Sequence, residues 1–297
     1  MATNLKPKPI LPILKWVGGK RDSMLRIRTN LPPEWDENQH WYYEPFLGGG
    51  AVLLELQPSR VVIGDTNKDL MNLYSVVRKG VDTLIELLQS DTYVNTKENY
   101  YRIRELDRSP EYGDDNTWYR AARFLYLNRT GWQGLCRYNK AGQLNMPYGH
   151  YKTVNYDFEN LKAVSKYLNG VKILREKEDW QEALTSVKAG AFVYLDPPYD
   201  PLSATAKFTE YSPKGFTKAD QADLKLECDR LTKLGAYVMK SNAATPFILD
   251  LYRDYKQIVF PVTRATGVKK GKKEAVGEVL IMNYVVKNYK SKLIDIS

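Results

Sequence analysis

Asp196-Pro197-Pro198-Tyr199 follows the apolar run Ala191-Phe192-Val193-Tyr194-Leu195, and this combination is the most specific chemical signal in the chain. Two consecutive prolines remove two backbone donors and stiffen the loop, so its carbonyls can be aimed at a ligand. The Asp196 carboxylate adds an acceptor, and Tyr199 offers a flat face for stacking. Two acceptors beside a ring suit an exocyclic NH₂ group on an aromatic base. The plain alternative, a strand ending in a proline turn, does not call for the acid and the aromatic together.

A second segment, Glu44-Pro45-Phe46-Leu47-Gly48-Gly49-Gly50, follows a β-rich run that starts at Trp41. Glycines let a ligand approach the backbone closely. The next buried-strand pattern, Arg60 to Gly64, ends on Asp65, an acid placed to accept two ribose hydroxyl hydrogens. The glycine spacing is not the dinucleotide fingerprint, and no GxxxxGK[ST] loop is present. The third segment, Lys15-Trp16-Val17-Gly18-Gly19-Lys20, reads by itself as an aromatic anchor and a turn.

The elements that must position these groups fall into three stretches. The first is α/β-like, with a helix starting at Ala51. The middle carries helical apolar spacing over Asp69–Leu88, Lys97–Leu106 and Tyr119–Leu127. A polar, aromatic, glycine-punctuated run, Asn128 to Tyr151, follows, with a hairpin turn expected at Asn139-Lys140-Ala141-Gly142. The last stretch returns to strands at Val171–Leu174, Ala191–Leu195, Ala236–Met239, Tyr255–Val262 and Val279–Tyr284, with helices at Lys218–Leu234 and Pro246–Tyr252. The fold expected is a Rossmann-like α/β domain, 1–66 and 168–297, interrupted by a mainly helical segment, 67–167, that carries a β-hairpin.

Composition narrows the chemistry. The 297 residues include 44 Lys plus Arg against 35 Asp plus Glu, a net charge of +9 that favours a polyanionic partner. Two cysteines and two histidines leave no disulfide framework and no metal site built on several histidines. No apolar run approaches the ~18–20 residues that span a bilayer, and the start is not that of a signal peptide. A cytoplasmic protein without membrane or metal is expected.

In order along the chain, these segments resemble the DNA adenine methyltransferase family, the alpha-group amino-methyltransferases with a DPPY motif. The likeness runs from Leu14 to Tyr284. It also takes in Gly134-Leu135-Cys136-Arg137-Tyr138-Asn139, Asn145-Met146-Pro147-Tyr148-Gly149, Phe208-Thr209-Glu210-Tyr211, Lys240-Ser241-Asn242, and the closing Arg264…Glu278-Val279-Leu280-Ile281…Tyr284. The resemblance implies methylation of the adenine amino group in double-stranded DNA, with S-adenosylmethionine as cofactor and GATC as the target. It implies that Trp16, Lys20, Phe46, Gly48, Gly50 and Asp65 surround the cofactor, with Asp196 at its border. Asp179-Trp180 stands where the family has an Asp-Phe pair near the cofactor adenine.

The family's positions of Lys15, Leu135, Arg137, Pro147 and Tyr151 read or touch bases of GATC. Arg137 is of the type that contacts guanine in bidentate fashion. Trp132 and Leu135 can wedge into the stack beside the vacated adenine. One departure stands out: the family's aromatic-Asn-Gly is here Trp132-Gln133-Gly134, longer by a methylene. Ser241 and Asn242 are expected to face DNA. The basic run Arg264, Lys269, Lys270, Lys272 and Lys273 reads either as a solvated loop or as phosphate contacts. A buried adenine must leave the stack to reach such a pocket.

Two other readings differ in class. An RNA-adenine or glutamine-amide methyltransferase shares the site chemistry, but the amide enzymes usually carry Asn where this chain has Asp196. A non-catalytic DNA-binding protein of the same fold would not need Asp65 and Asp196–Tyr199 intact. A bacterial or phage-encoded, nucleoid-associated monomer is expected, acting in restriction-modification, replication or repair marking, alone or beside a restriction endonuclease.

Overall fold

Strands with apolar residues on both faces require helices on both sides, and that is the arrangement found. The structure, a computed structural model, describes residues 9–20, 23–109, 112, 117–177, 179–201, 216–262 and 276–286. In chain order the elements are α1 (Met24–Thr29), β1 (Tyr42–Glu44), α2 (Ala51–Leu56), β2 (Arg60–Gly64), α3 (Lys68–Gln89), α4 (Lys97–Glu105) and α5 (Thr117–Thr130). They continue with α6 (Phe158–Gly170), β3 (Lys172–Lys177), α7 (Trp180–Leu184), β4 (Phe192–Leu195), α8 (Lys218–Leu234), β5 (Tyr237–Ala243), α9 (Pro246–Leu251), β6 (Lys256–Val262) and β7 (Val276–Met282).

The strands form one sheet of order β3-β2-β1-β4-β5-β7-β6. The first five are parallel, and β7 runs antiparallel to both β5 and β6. Side-chain alternation splits the core in two. Tyr42, Val61, Ile63, Phe192 and Tyr194 face one cluster, while Tyr43, Val62, Val193 and Leu195 face the other. The first cluster continues without a break into α3, α5 and α6, through Leu73, Val77, Leu125 and Leu161. The second holds α8 and α9, through Leu224, Leu231 and Ile248. The mixed α/β expectation therefore stands.

Local chemistry sets the helix ends. The Asn67 side chain accepts from Leu70 N at the start of α3, and Thr217 and Asp220 form a reciprocal capping box on α8. Helix α6 was not foreseen. Asp157 caps it, and Leu161, Val164 and Leu168 are its buried stripe. The border expected at residue 168 falls inside this helix. The Asn139–Gly142 turn closes as read, with Gly142 N donating to Asn139 O at 2.9 Å. Around it lie two isolated bridges, Tyr138↔Leu144 and Gly131↔Tyr148, in place of a continuous ladder. Among the described residues no helix is long and apolar enough to cross a membrane.

Candidate active site

Parallel strands β2, β1 and β4 end on the same edge of the sheet, which brings Asp65, Glu44 and Asp196 together. The chain leaves β1 toward β2 on one side and returns as β4 on the other. A crevice at such a reversal is where ligands bind in open α/β sheets.

Asp196 occupies this crevice with its two oxygens in different states. Oδ2 lies 2.5 Å from Nζ of Lys20, a residue only 5% exposed. The same ammonium donates to the Gly18 carbonyl at 2.6 Å and sits 5.3 Å from the centre of the Tyr199 ring. Oδ1 is buried with no hydrogen-bond partner. An unsatisfied buried acceptor is expensive to keep, so this oxygen has an open capacity to accept a hydrogen. Burial pushes the Asp196 carboxyl above the usual aspartate value, and Lys20, with a weaker contribution from Tyr199, draws it back.

Glu44 lies beside this pair at 2% exposure. Burial drives its carboxyl up to about 8; Tyr42 O–H, donating at 2.8 Å, opposes the rise, and the nearby Asp196 charge adds to it. Burial thus favours the neutral form of Glu44 near pH 7.

The Asp-Pro-Pro-Tyr loop is held from behind. Gln221 Nε2 donates to the Pro198 carbonyl at 2.9 Å, and the Asp200 N–H donates to Asn242 Oδ1 at 3.0 Å. The Thr245 hydroxyl donates to Asp200 Oδ2 at 2.6 Å. Ser241 and Asn242, expected to face DNA, are 4% and 0% exposed. Ser241 pairs with the Tyr194 hydroxyl at 2.8 Å, and Asn242 serves the loop. Their polar groups lie inside the protein because β5 is an interior strand of the sheet.

The glycine loop packs against the N-terminal segment. Gly48 has φ +49°, and a Cβ there would lie 2.8 Å from Trp16 Nε1, so the half-buried indole fits only against glycine. Asp65 Oδ2 accepts from Gly48 N and Oδ1 from Asn67 N, both at 2.9 Å. Burial raises its carboxyl, and these two N–H groups restrain the rise. Each oxygen keeps a second lone pair. Phe46 and Trp180 stack with centroids 6.2 Å apart. Asp179 is exposed, and its side chain caps α7 by accepting from Gln181 N at 2.7 Å. A carboxylate with free lone pairs for vicinal hydroxyls and the Trp180 ring for a flat purine fit an adenosine-containing cofactor. Among the described residues no cluster of His, Cys, Asp and Glu could hold a metal ion.

The base-reading candidates are mostly solvent-facing. Trp132 is 50% exposed; Gln133, Arg137 and Pro147 are exposed too, and Leu135 is half-buried. Arg137 has only long contacts, 3.3 and 3.4 Å, to the Asn145 carbonyl. Lys15 Nζ rests 4.5 Å from the centre of the Tyr151 ring, whose hydroxyl accepts from Gln133 N at 3.1 Å. Buried Asn128 ties these parts together. Its Oδ1 accepts from Lys15 N at 3.0 Å, while Nδ2 donates to the carbonyls of Lys15 and Gly134, both at 2.8 Å. Lys269 and Lys270, with the Phe208–Tyr211 motif, lie outside the described residues.

Sequence reading passed over Glu44, Asn128, Gln221 and Lys240 as site residues. Glu44 ends an otherwise apolar strand, a signal that was available. Lys240 likewise follows an apolar run and stands in the Lys240-Ser241-Asn242 motif, whereas Gln221 gives no such signal, since its burial depends on how α8 lies against β5.

The chain is 37% identical over 274 residues to a type II methyltransferase of Lactococcus lactis subsp. cremoris, covering 92% of this chain and 95% of that protein. It is 41% identical over 290 residues to a type II methyltransferase of Methanocaldococcus jannaschii, covering 93% and 99%. It is 34% identical over 273 residues to the DNA adenine methylase of Escherichia coli strain K12, covering 91% and 94%. The model of the D12 class N6 adenine-specific DNA methyltransferases matches residues 16–266. With the acid-proline loop, the glycine turn and the sheet edge as described, the chain belongs to the D12 class N6 adenine-specific DNA methyltransferases.

Proposed function

We propose that this enzyme transfers methyl from S-adenosylmethionine to the amino group of an adenine flipped out of duplex DNA at GATC. The observation that carries the reading is the divided Asp196 carboxylate, one oxygen held by Lys20 and the other buried without a partner. When bound, S-adenosylmethionine supplies an electrophilic sulfonium methyl group. Trp16, Phe46, Gly48, Gly50, Asp65, Asp179 and Trp180 are the residues that would hold it: Asp65 through ribose hydroxyls, Phe46 and the glycine loop beside the methionine part, and Asp179 with Trp180 near the adenine.

The adenine amino nitrogen is a poor nucleophile because its lone pair is delocalised into the ring. Asp196 Oδ1 and the Pro197 carbonyl accept its two hydrogens and favour a pyramidal nitrogen with the lone pair directed outward. Lys20 opposes the burial-driven rise of the Asp196 carboxyl and so favours the charged acceptor in a water-poor crevice. Tyr199 stacks on the base and fixes its plane. Positioning then accounts for a large share of the rate. A stacked base cannot reach these groups, so extrusion from the duplex precedes transfer.

Residues 67–167 are proposed as the target-recognition region. Arg137 reads guanine, Lys15, Pro147 and Tyr151 touch neighbouring bases, and Trp132 with Leu135 fills the space that the adenine vacates. Gln133 acts at the same turn. The test uses purified protein, labelled S-adenosylmethionine, a GATC duplex and its single-base variants, with 2-aminopurine in place of the target adenine to report flipping by fluorescence. Methylation confined to GATC, with enhanced fluorescence on binding, is expected. Equal labelling of all duplexes would overturn the target, and unchanged fluorescence the flipping.

A further inference from the structure

Behind the acid-proline loop is a polar network that the reaction as described does not use. Lys240 lies on β5 opposite Leu195, the residue before Asp196, and is 0% exposed. Its Nζ donates to Gln221 Oε1 at 2.8 Å and to the Tyr252 hydroxyl at 3.0 Å, and lies 4.3 Å from the centre of that ring. Burial lowers this ammonium to about 7, and nearby Cys228 and Asp200 oppose the fall. A buried lysine held by neutral partners is costly. Gln221, 1% exposed in the second turn of α8, also accepts from Asn242 Nδ2 at 3.3 Å, while its own NH₂ donates to the Pro198 carbonyl.

The two ends of a glutamine amide have almost the same shape, so something must choose their direction. An ammonium has three donors and no acceptor. In its ammonium form Lys240, together with the Asn242 NH₂, therefore turns the Gln221 carbonyl toward β5, and the Gln221 NH₂ is left for Pro198. With the amide reversed, two carbonyl oxygens would face each other at the loop. The Pro198 ring fixes its own φ, so anchoring its carbonyl leaves the preceding peptide few orientations.

We propose that Gln221 and Lys240 are positioning residues for methyl transfer: Lys240 orients the Gln221 amide, which holds the Pro198 carbonyl inward and so turns Asp196 and the Pro197 carbonyl toward the target amino group. The inference rests on the reading above that Asp196 and Pro197 receive that group. Neither residue touches substrate; both act through the loop.

The test compares full-length wild type with Gln221→Glu. Beside Lys240 the new carboxylate keeps the lysine contact but has no hydrogen to donate to Pro198. The expected result is a kcat lower by ~10–100-fold, the size of effect that a small misplacement produces. KM for S-adenosylmethionine and for DNA should stay within about twofold, with Tm lower only by the cost of one buried hydrogen bond. A merely structural residue would instead lower kcat and shift both KM values together. A kcat within twofold of wild type, or a raised KM with unchanged kcat, would overturn the proposal. Should Gln221→Glu fail to fold, Lys240→Met carries the same comparison, with the same loss expected and the same results against it. Asp196→Ala separates the two layers. If it still transfers methyl, the underlying reading fails; if it is dead while Gln221→Glu is normal, only the positioning role fails.

Discussion

Glu44→Gln should make the protein more stable at neutral and alkaline pH, by an amount that grows up to about pH 8 and then stays constant. Glu44 is 2% exposed and its folded-state carboxyl titrates at about 8, against a reference of 4.5. Between those values the folded protein binds a proton that the unfolded chain has released, so stability falls as pH rises through the interval. The slope for one such group is ~1.4 kcal/mol per pH unit. Across the interval from 4.5 to about 8 the loss is at most about 5 kcal/mol, since water entry and relaxation reduce it. Glutamine has nearly the same shape, can accept from Tyr42 O–H, and does not titrate. The two proteins should therefore be equally pH-sensitive below pH 4.5, diverge up to about 8 and run parallel above it. Urea unfolding of both at half-unit steps from pH 5 to 9 measures the difference. Curves that stay parallel throughout would refute the claim that Glu44 is buried as a neutral acid.

Other substitutions probe the site from different sides. Lys20→Met removes the ammonium that opposes the burial-driven rise of the Asp196 carboxyl, so the acid limb of the kcat profile should move to higher pH; an unmoved limb would show that Lys20 does not govern Asp196. Asp65→Ala should raise KM for S-adenosylmethionine well above any change in KM for DNA, and the reverse pattern in steady-state kinetics would misplace the ribose acid. Arg137→Ala should lose ~1–3 kcal/mol of discrimination at one base pair; an equal loss on GATC and on every single-base variant would make it a phosphate or structural residue.

Much of the sheet was legible because buried strands leave compact apolar runs. Arg60–Gly64 and Lys218–Leu234 have the ends that were read from sequence. Strand β5 extends past its apolar start through Lys240, Ser241 and Asn242, which look like loop residues until the inward network is seen. Those three polar residues are buried because Gln221, Tyr252, Tyr194 and Asp200 satisfy them across elements far apart in sequence. The local pattern contains nothing that would report such partners. Helix α6, by contrast, had a legible cap in Asp157 and a legible stripe, and was passed over among the aromatics that precede it. At the crevice, the acid-proline loop declares its chemistry in four residues, whereas the division of labour between the Asp196 oxygens depends on Lys20, which arrives from the other end of the chain.

The Asn128 clamp has a consequence for biosynthesis. It joins Lys15 to a residue 113 positions later, so the segment carrying Lys15 and Lys20 emerges from the ribosome long before its anchor exists. At ~5–20 residues per second the delay is roughly 6–23 s. Strand β7 (Val276–Met282) then inserts between β5 and β6, so the sheet stays open on that side until residue 282 has been made. A nascent chain of this enzyme is therefore expected to hold its basic N-terminal strap unanchored beside a half-built crevice, and to gain its methylating activity in a single late step.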